Sequence, residues 1–196
     1  MAVFERMYRA AADGRDSVPW DRGGPHPLLE EWARDVDGAG RRALVVGSGL
    51  GADAELVAER GFDVVGFDAS VTAITMARSR FPDTVVDYRV ANLLDLPAQW
   101  RAAFDLVVES LTVQSMPPAY HVRATASIVS TVAPGGTLLV IATARDEAGN
   151  PPDGPPWPLT RLEVEAFASE GLEPERIELV RAPGTAARWR AQLRRT

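Results

Sequence analysis

Three glycines fall within five positions at Gly47-Ser48-Gly49-Leu50-Gly51, directly after the apolar residues 43–46. Glycine has no Cβ, so the main chain here can take positive φ and lie flat against a ligand. A helix beginning at this turn would aim its unpaired N-terminal amides at the same ligand. Asp68 closes the next apolar run, "DVVGF" (63–67), about 20 residues downstream. A carboxylate at the end of a neighbouring strand can accept hydrogen bonds from both hydroxyls of a ribose. Turn and acid together point to a nucleoside-bearing ligand, where a plain βα turn would need neither.

The spacing admits two such ligands. Gly47, Gly49 and Ala52 satisfy G-x-G-x-x-A, the relaxed dinucleotide fingerprint. Gly47, Gly49 and Gly51 equally satisfy G-x-G-x-G, the turn that holds the methionine part of S-adenosylmethionine. A dinucleotide needs contacts for a second nucleotide half. The chain offers no second glycine turn suited to one, and a Tyr-x-x-x-Lys pair is impossible because lysine is absent. An NAD(P)-dependent oxidoreductase and a non-catalytic S-adenosylmethionine-binding protein stand as the alternative readings.

The elements that must position these residues follow from hydrophobic period and caps. Strands are expected at 42–46, 63–67, 84–90, 104–108 and 137–142, with a closing pair at 176–180 and 187–193. Helices are expected at 51–60, at 70–80 behind a Ser70 cap, and at 159–171 behind a Thr160–Glu163 capping box. Pro117 and Pro118 open a long helix in which Val122, Ala126, Val129 and Ala133 share a face, and "APGG" ends it. Strands alternating with helices imply an α/β fold. The expected architecture is a doubly wound, mostly parallel seven-stranded sheet with helices on both faces and an antiparallel C-terminal edge hairpin. Residues 1–40 form an N-terminal helical cap or lid segment, and 41–196 the Rossmann-like domain, as a single domain overall.

Beyond the turn, "ANLLDLP", "FDLVVES" and "APGGTLLV" follow the third strand, form the fourth and open the fifth. Over about residues 41–180 this series resembles a class I S-adenosylmethionine-dependent methyltransferase. "PWDRGGPHPLLEEW" (19–32) resembles the W-D-x-G-x-P-x-P segment of the thiopurine S-methyltransferase family. "FDLVVESLTVQSMPP" (104–118) is similar to that family's fourth-strand segment, with small bacterial members the nearest in pattern. The resemblance implies that Gly47, Ser48, Gly49 and Gly51 hold the amino-acid part of the cofactor, that Asp68 binds the ribose and that Ala69 packs on the adenine. It places Asn92 and Leu93 at the adenine edge and Trp20 over the cofactor. Asn92 stands where relatives carry aspartate, and its amide oxygen can still accept from the adenine amino group. Val45 stands where many class I enzymes carry an acid, as it does in the thiopurine-type relatives, so the ammonium contact moves elsewhere, with Glu109 the candidate. Asp53, also present in those relatives, favours the following helix N-terminus electrostatically.

Methyl transfer from a sulfonium is an in-line displacement that leaves S-adenosylhomocysteine. It asks the protein mainly for alignment. A thiolate or halide acceptor needs no general base; a hydroxyl acceptor does, and His26 is the candidate. Arg145, beyond the fifth strand, suits an anionic acceptor, and Trp157 in the proline-rich stretch 147–158 suits a pocket wall; Tyr8, Tyr120 and His121 are further aromatic or basic neighbours. The expected partner is a small-molecule acceptor. A net charge of −6 argues against nucleic acid or an anionic membrane, although Arg176, Arg181, Arg188, Arg190, Arg194 and Arg195 face a single acid, Glu178, in the tail. With no cysteine and no expected metal site, no signal-peptide stretch and no run of about 20 apolar residues, the expected setting is the cytoplasm of a bacterium, as monomer or homodimer.

Overall fold

The computed structural model describes residues 2–149 and 151–196. Its contacts divide into two compact units, one ending at Asn92 and one beginning at Leu93.

The first unit contains helices α1 (Ala2–Ala12), α2 (Pro27–Ala33), α3 (Ala52–Glu59) and α4 (Val71–Arg80), and strands β1 (Arg42–Val46), β2 (Asp63–Asp68) and β3 (Asp87–Val90). The strands lie in the order β3-β2-β1 and run parallel, with Leu44 opposite Val65 and Phe67 opposite Arg89. Four successive residues of β1 and of β2 are buried, the signature of a parallel strand covered on both faces. Ser70 caps α4 as expected, its Oγ accepting from the Ala73 N–H at 2.9 Å. Gly61, at φ +88°, ends α3.

The expected strand at 84–90 is shorter. The Thr84 hydroxyl donates to Glu55 at 2.5 Å and accepts from the Val86 N–H at 3.0 Å, while the Tyr88 N–H turns back to the Val86 carbonyl. Those groups are spent locally, so the ladder begins only at Asp87.

The second unit contains strands β4 (Phe104–Ser110), β5 (Val132–Thr143), β6 (Leu172–Val180) and β7 (Arg188–Arg195), and helices α5 (His121–Val129) and α6 (Arg161–Glu165). Its order is β4-β5-β7-β6; β4 and β5 are parallel, and β7 is antiparallel to both neighbours, which is the expected closing hairpin. Three strands and four make the expected seven.

The expected long helix after Pro117 is corrected here. A short 3-10 turn at Pro118–Tyr120 precedes α5, and the helix closes before Ala133. Ser130 and Thr131 turn their hydroxyls onto the carbonyls of Ser127 and Ile128, which ends the ladder. The buried face carries His121, Ala124, Thr125, Ile128 and Val129, leaving Val122 83% exposed. The "APGG" segment lies inside β5. Gly135 takes φ +71° at a register shift, and a Cβ on Gly136 would stand 2.9 Å from the Phe104 carbonyl oxygen. The helix expected over 159–171 is likewise only α6, although its Thr160–Glu163 capping box forms as expected.

Candidate functional site

Unit one holds Trp20, His26, Gly47, Ser48, Gly49, Gly51, Asp68, Ala69 and Asn92. The turn after β1 is tight: Gly47, Gly49 and Gly51 have φ of +60°, +51° and +93°, and the Gly51 N–H bonds to the Ser48 carbonyl at 2.9 Å. The Ser48 N–H reaches the Phe67 carbonyl at 2.8 Å, so the turn is stitched to the end of β2. There Asp68 accepts from the Gly49 N–H (3.1 Å, Oδ2) and the Ser70 N–H (2.8 Å, Oδ1). Burial pushes the Asp68 carboxyl up, against the pull of the Ser70, Gly49 and Ala69 amides. The Ala91 N–H bonds to the Asp68 carbonyl at 3.1 Å, which brings the Asn92 segment alongside. Ala69 is exposed beside it. The buried Ser48 Oγ has no hydrogen-bond partner among the described residues.

Gly51 has a packing reason of its own. A Cβ there would lie 2.3 Å from the hydroxyl of Tyr88, a fully buried residue that hydrogen-bonds the Gly51 carbonyl and Glu55. Asp53 does more than favour a helix end: its Oδ1 accepts the His26 N–H at 2.7 Å and so ties the segment before α2 to the start of α3. His26 is the α2 N-cap, its ring Nδ1 accepting from the Leu28 N–H at 3.2 Å. That bond puts the ring hydrogen on Nε2 and leaves no free lone pair for a proton. The Trp20 indole N–H donates to the Tyr8 hydroxyl at 3.1 Å, and both rings meet edge-on.

Sequence reasoning missed Glu5. Its carboxylate accepts from the Ser70 hydroxyl (2.6 Å), the Thr72 hydroxyl (2.8 Å) and Arg9 (2.7 Å), which holds it down at about 2, the Ser70 bond foremost. No local spacing relates residue 5 to residue 70, so no sequence pattern announces the contact.

Unit two holds Leu93, Glu109, Arg145 and Trp157. Leu93 is buried. Glu109, near the end of β4, is fully buried; its Oε1 accepts from the Thr112 (2.7 Å) and Val113 (2.9 Å) amides, while Oε2 has no partner among the described residues. Burial pushes its carboxyl up to about 7, with the two amides and His121 pulling the other way. His121 lies between Glu163 Oε1 and the Met116 carbonyl, both at 2.8 Å. Both partners are acceptors, so whichever ring nitrogen carries a hydrogen has one to meet. Although burial works against it, bonds from His121 and Thr160 hold the Glu163 carboxyl below its ordinary range. Arg145 spends its guanidinium on the carbonyls of Pro158, Asp146 and Gly149 and on Glu163, so it staples the proline-rich loop. The Trp157 main-chain N–H donates to the Gln114 carbonyl at 2.6 Å, and the Gln114 side chain in turn accepts from the Thr143 N–H.

A family model described as "Methyltransferase domain" matches residues 44–140, from within β1 into β5. A 2-heptyl-1-hydroxyquinolin-4(1H)-one methyltransferase of Mycobacteroides abscessus is 31% identical over 178 residues, covering 86% of this chain and 75% of that protein. The chain belongs to the class I S-adenosylmethionine-dependent methyltransferases. Among solved structures, the methyltransferase resembles one from a study of the conversion of a disulfide bond into a thioacetal group during echinomycin biosynthesis. The TM-score is 0.76 at 25% identity, over 99% of this chain and 92% of that one. It also shares its fold with the Burkholderia thailandensis 1,6-didemethyltoxoflavin-N1-methyltransferase, which was solved with 1,6-didemethyltoxoflavin and S-adenosylhomocysteine bound. There the TM-score is 0.74 at 18% identity, over 100% of this chain and 88% of that one. These likenesses carry the Rossmann-like α/β fold over the length of this chain. As a member of its family, the methyltransferase takes S-adenosylmethionine as cofactor. Among the described residues there is no cluster able to hold a metal ion and no helix long and apolar enough to cross a membrane.

Proposed function

We propose that the enzyme methylates a small-molecule nucleophile, and that it holds the donor on the turn after β1 with Asp68 on the ribose. The bond between the Gly49 N–H and Asp68 Oδ2 carries this reading, because it sets a carboxylate with spare lone pairs beside bare main chain. The unpartnered Ser48 hydroxyl supports it: a buried polar atom without a partner fits a site completed by a ligand. S-adenosylmethionine, when bound, supplies a methyl group on a cationic sulfur that needs no further activation. The protein's own part is alignment and exclusion of water, which can lower a barrier by roughly 7–11 kcal/mol. Within the unit that holds the turn, Asn92 offers the adenine edge and Ala69 a small surface for the ring.

Residues 1–40 are read as the cap, with the segment 19–32 as its thiopurine S-methyltransferase-like part, in a bacterial cytoplasmic enzyme acting as monomer or homodimer. Acidic N-hydroxy heterocycles, which lose their proton to solvent before binding and so need no base from the protein, head the acceptor classes, since the Mycobacteroides relative is named for a hydroxyquinolone. His26 is not assigned the base, because its Nδ1 is occupied.

Calorimetric titration tests the donor: micromolar binding of S-adenosylhomocysteine with no response to NADH is expected, and the reverse overturns the reading. Transfer of label from methyl-labelled donor to a panel of phenols, N-hydroxy heterocycles, thiols and halides tests the chemistry. Binding without transfer to any of them would favour a non-catalytic S-adenosylmethionine-binding protein.

A further inference from the structure

Helix α1 brings one unassigned side chain to the glycine turn. Glu5 clamps α1 onto the start of α4 through Ser70 and Thr72. Three residues on, the Tyr8 ring sinks into a small core with Val18 and Ala73, against Phe4, Leu50 and Met76, and the residue is only 4% exposed. Its hydroxyl comes out over the turn. A Cβ built on Gly49 would stand 3.0 Å from the Tyr8 oxygen and would otherwise touch only the Gly47 carbonyl, at 4.0 Å.

The orientation of that hydroxyl is constrained. The Trp20 indole can only donate, and at 3.1 Å it occupies one lone pair of the Tyr8 oxygen. The Tyr8 hydrogen must therefore point away from Trp20, and among the described residues it meets no acceptor. Burial, reinforced by the Asp68 carboxylate, pushes the phenol well above its ordinary range, so it remains a protonated donor at any working pH. A nearly buried donor without an acceptor, aimed past bare main chain, is costly to keep unless something accepts from it.

Resting on the cofactor assignment above, the acceptor can be narrowed. Ribose hydroxyls placed on Asp68 give their hydrogens to that carboxylate. The part of the donor lying on the turn is its methionine, whose carboxylate is its one anionic group and makes the stronger, charge-assisted bond. We propose that Tyr8 is a cofactor-binding residue whose hydroxyl, oriented by Trp20, donates to the methionine carboxylate across Gly49. Helix α1 is then a working wall of the donor site.

The test compares two nucleosides on the full chain by calorimetry: S-adenosylhomocysteine, which carries the carboxylate, and 5′-methylthioadenosine, which lacks the amino-acid part. In Tyr8→Phe the ring packing is kept and only the hydroxyl is lost. Affinity for S-adenosylhomocysteine should fall about tenfold, the usual loss for a hydrogen bond to a charged group, with methylthioadenosine unchanged within about twofold. The readout is the ratio of the two affinities, because partial unfolding of the variant would scale both alike. A ratio equal to that of the wild type overturns the proposal, whether both affinities hold or both fall. Failure of the wild-type chain to bind either nucleoside would overturn the cofactor assignment beneath it.

Discussion

The main-chain N–H of Gly49 donates to Oδ2 of Asp68 over 3.1 Å, which makes the turn after β1 and the end of β2 one hydrogen-bonded unit. Asp68 therefore has two duties, shaping the turn and presenting a carboxylate. Asp68→Asn separates them, since the amide keeps one oxygen for a main-chain donor but loses the charge and half the acceptor capacity. We expect at least a tenfold loss of S-adenosylhomocysteine affinity by calorimetry with the melting temperature within about 4 °C of wild type. Unchanged affinity in the folded variant would remove Asp68 from the site.

Glu109 makes stability fall with rising pH over a defined window. Its folded-state carboxyl is pushed up to about 7, above the ordinary value of 4.5 for an unfolded chain, so between these values the native state binds more protons. Stability from this group is fully present below 4.5 and is lost as pH rises through about 7. Asp68, also raised by burial, adds a slope of the same sign. The diagnostic is the difference between chains: Glu109→Gln should flatten the decline in denaturant midpoint across that window while leaving the Asp68 contribution in place. Identical pH profiles for the two chains would show that Glu109 does not titrate there.

The parts legible from sequence were those written in local patterns. The apolar runs of β1 and β2 located the parallel core, Ser70 marked the start of α4, and Thr160 with Glu163 marked α6. Helix lengths failed where side chains competed for the ladder, as Ser130 and Thr131 do at the end of α5. "APGG" reads as a helix stop by composition, yet the close approach of Gly136 to the Phe104 carbonyl keeps it within β5. In the candidate site, glycine spacing and Asp68 were readable, but the clamp from Glu5 to Ser70 joins residues 65 apart and has no local signature. Arg145 read by its position as suited to an anionic acceptor, and its donors meet the carbonyls of its own loop and Glu163.

Gly51 separates packing from binding. Its φ of +93° already disfavours any side chain, and an added Cβ would meet the Tyr88 hydroxyl at 2.3 Å. Gly51→Ala should destabilise the fold by about 2–3 kcal/mol through strain and displaced packing. Thermal melting reads this directly. The ring carbon that carries the Tyr88 hydroxyl would also stand 3.0 Å from that Cβ, so removing the hydroxyl alone does not clear the space; a Gly51→Ala chain as stable as wild type would refute the steric cause.

Glu5 decides whether α1 stays on α4. Its carboxylate receives two hydroxyls from α4 and its cap, and it is ionised down to about 2. Because its folded-state value lies below 4.5, the stability it contributes is present above 4.5 and disappears as pH falls through about 2, opposite in sign to Glu109. The side chain keeps 24% of its surface exposed, so solvent screens part of the effect. Glu5→Ala leaves Ser70 and Thr72 without this acceptor and should cost about 1–2 kcal/mol, or roughly 2–8 °C of melting temperature. Amide exchange should rise in α1 before the strands β1 and β2 respond, since α1 is joined to α4 mainly through this clamp and the Tyr8 core. Uniform loss of protection across the chain, or none in α1, would mean that the helix is held by other contacts.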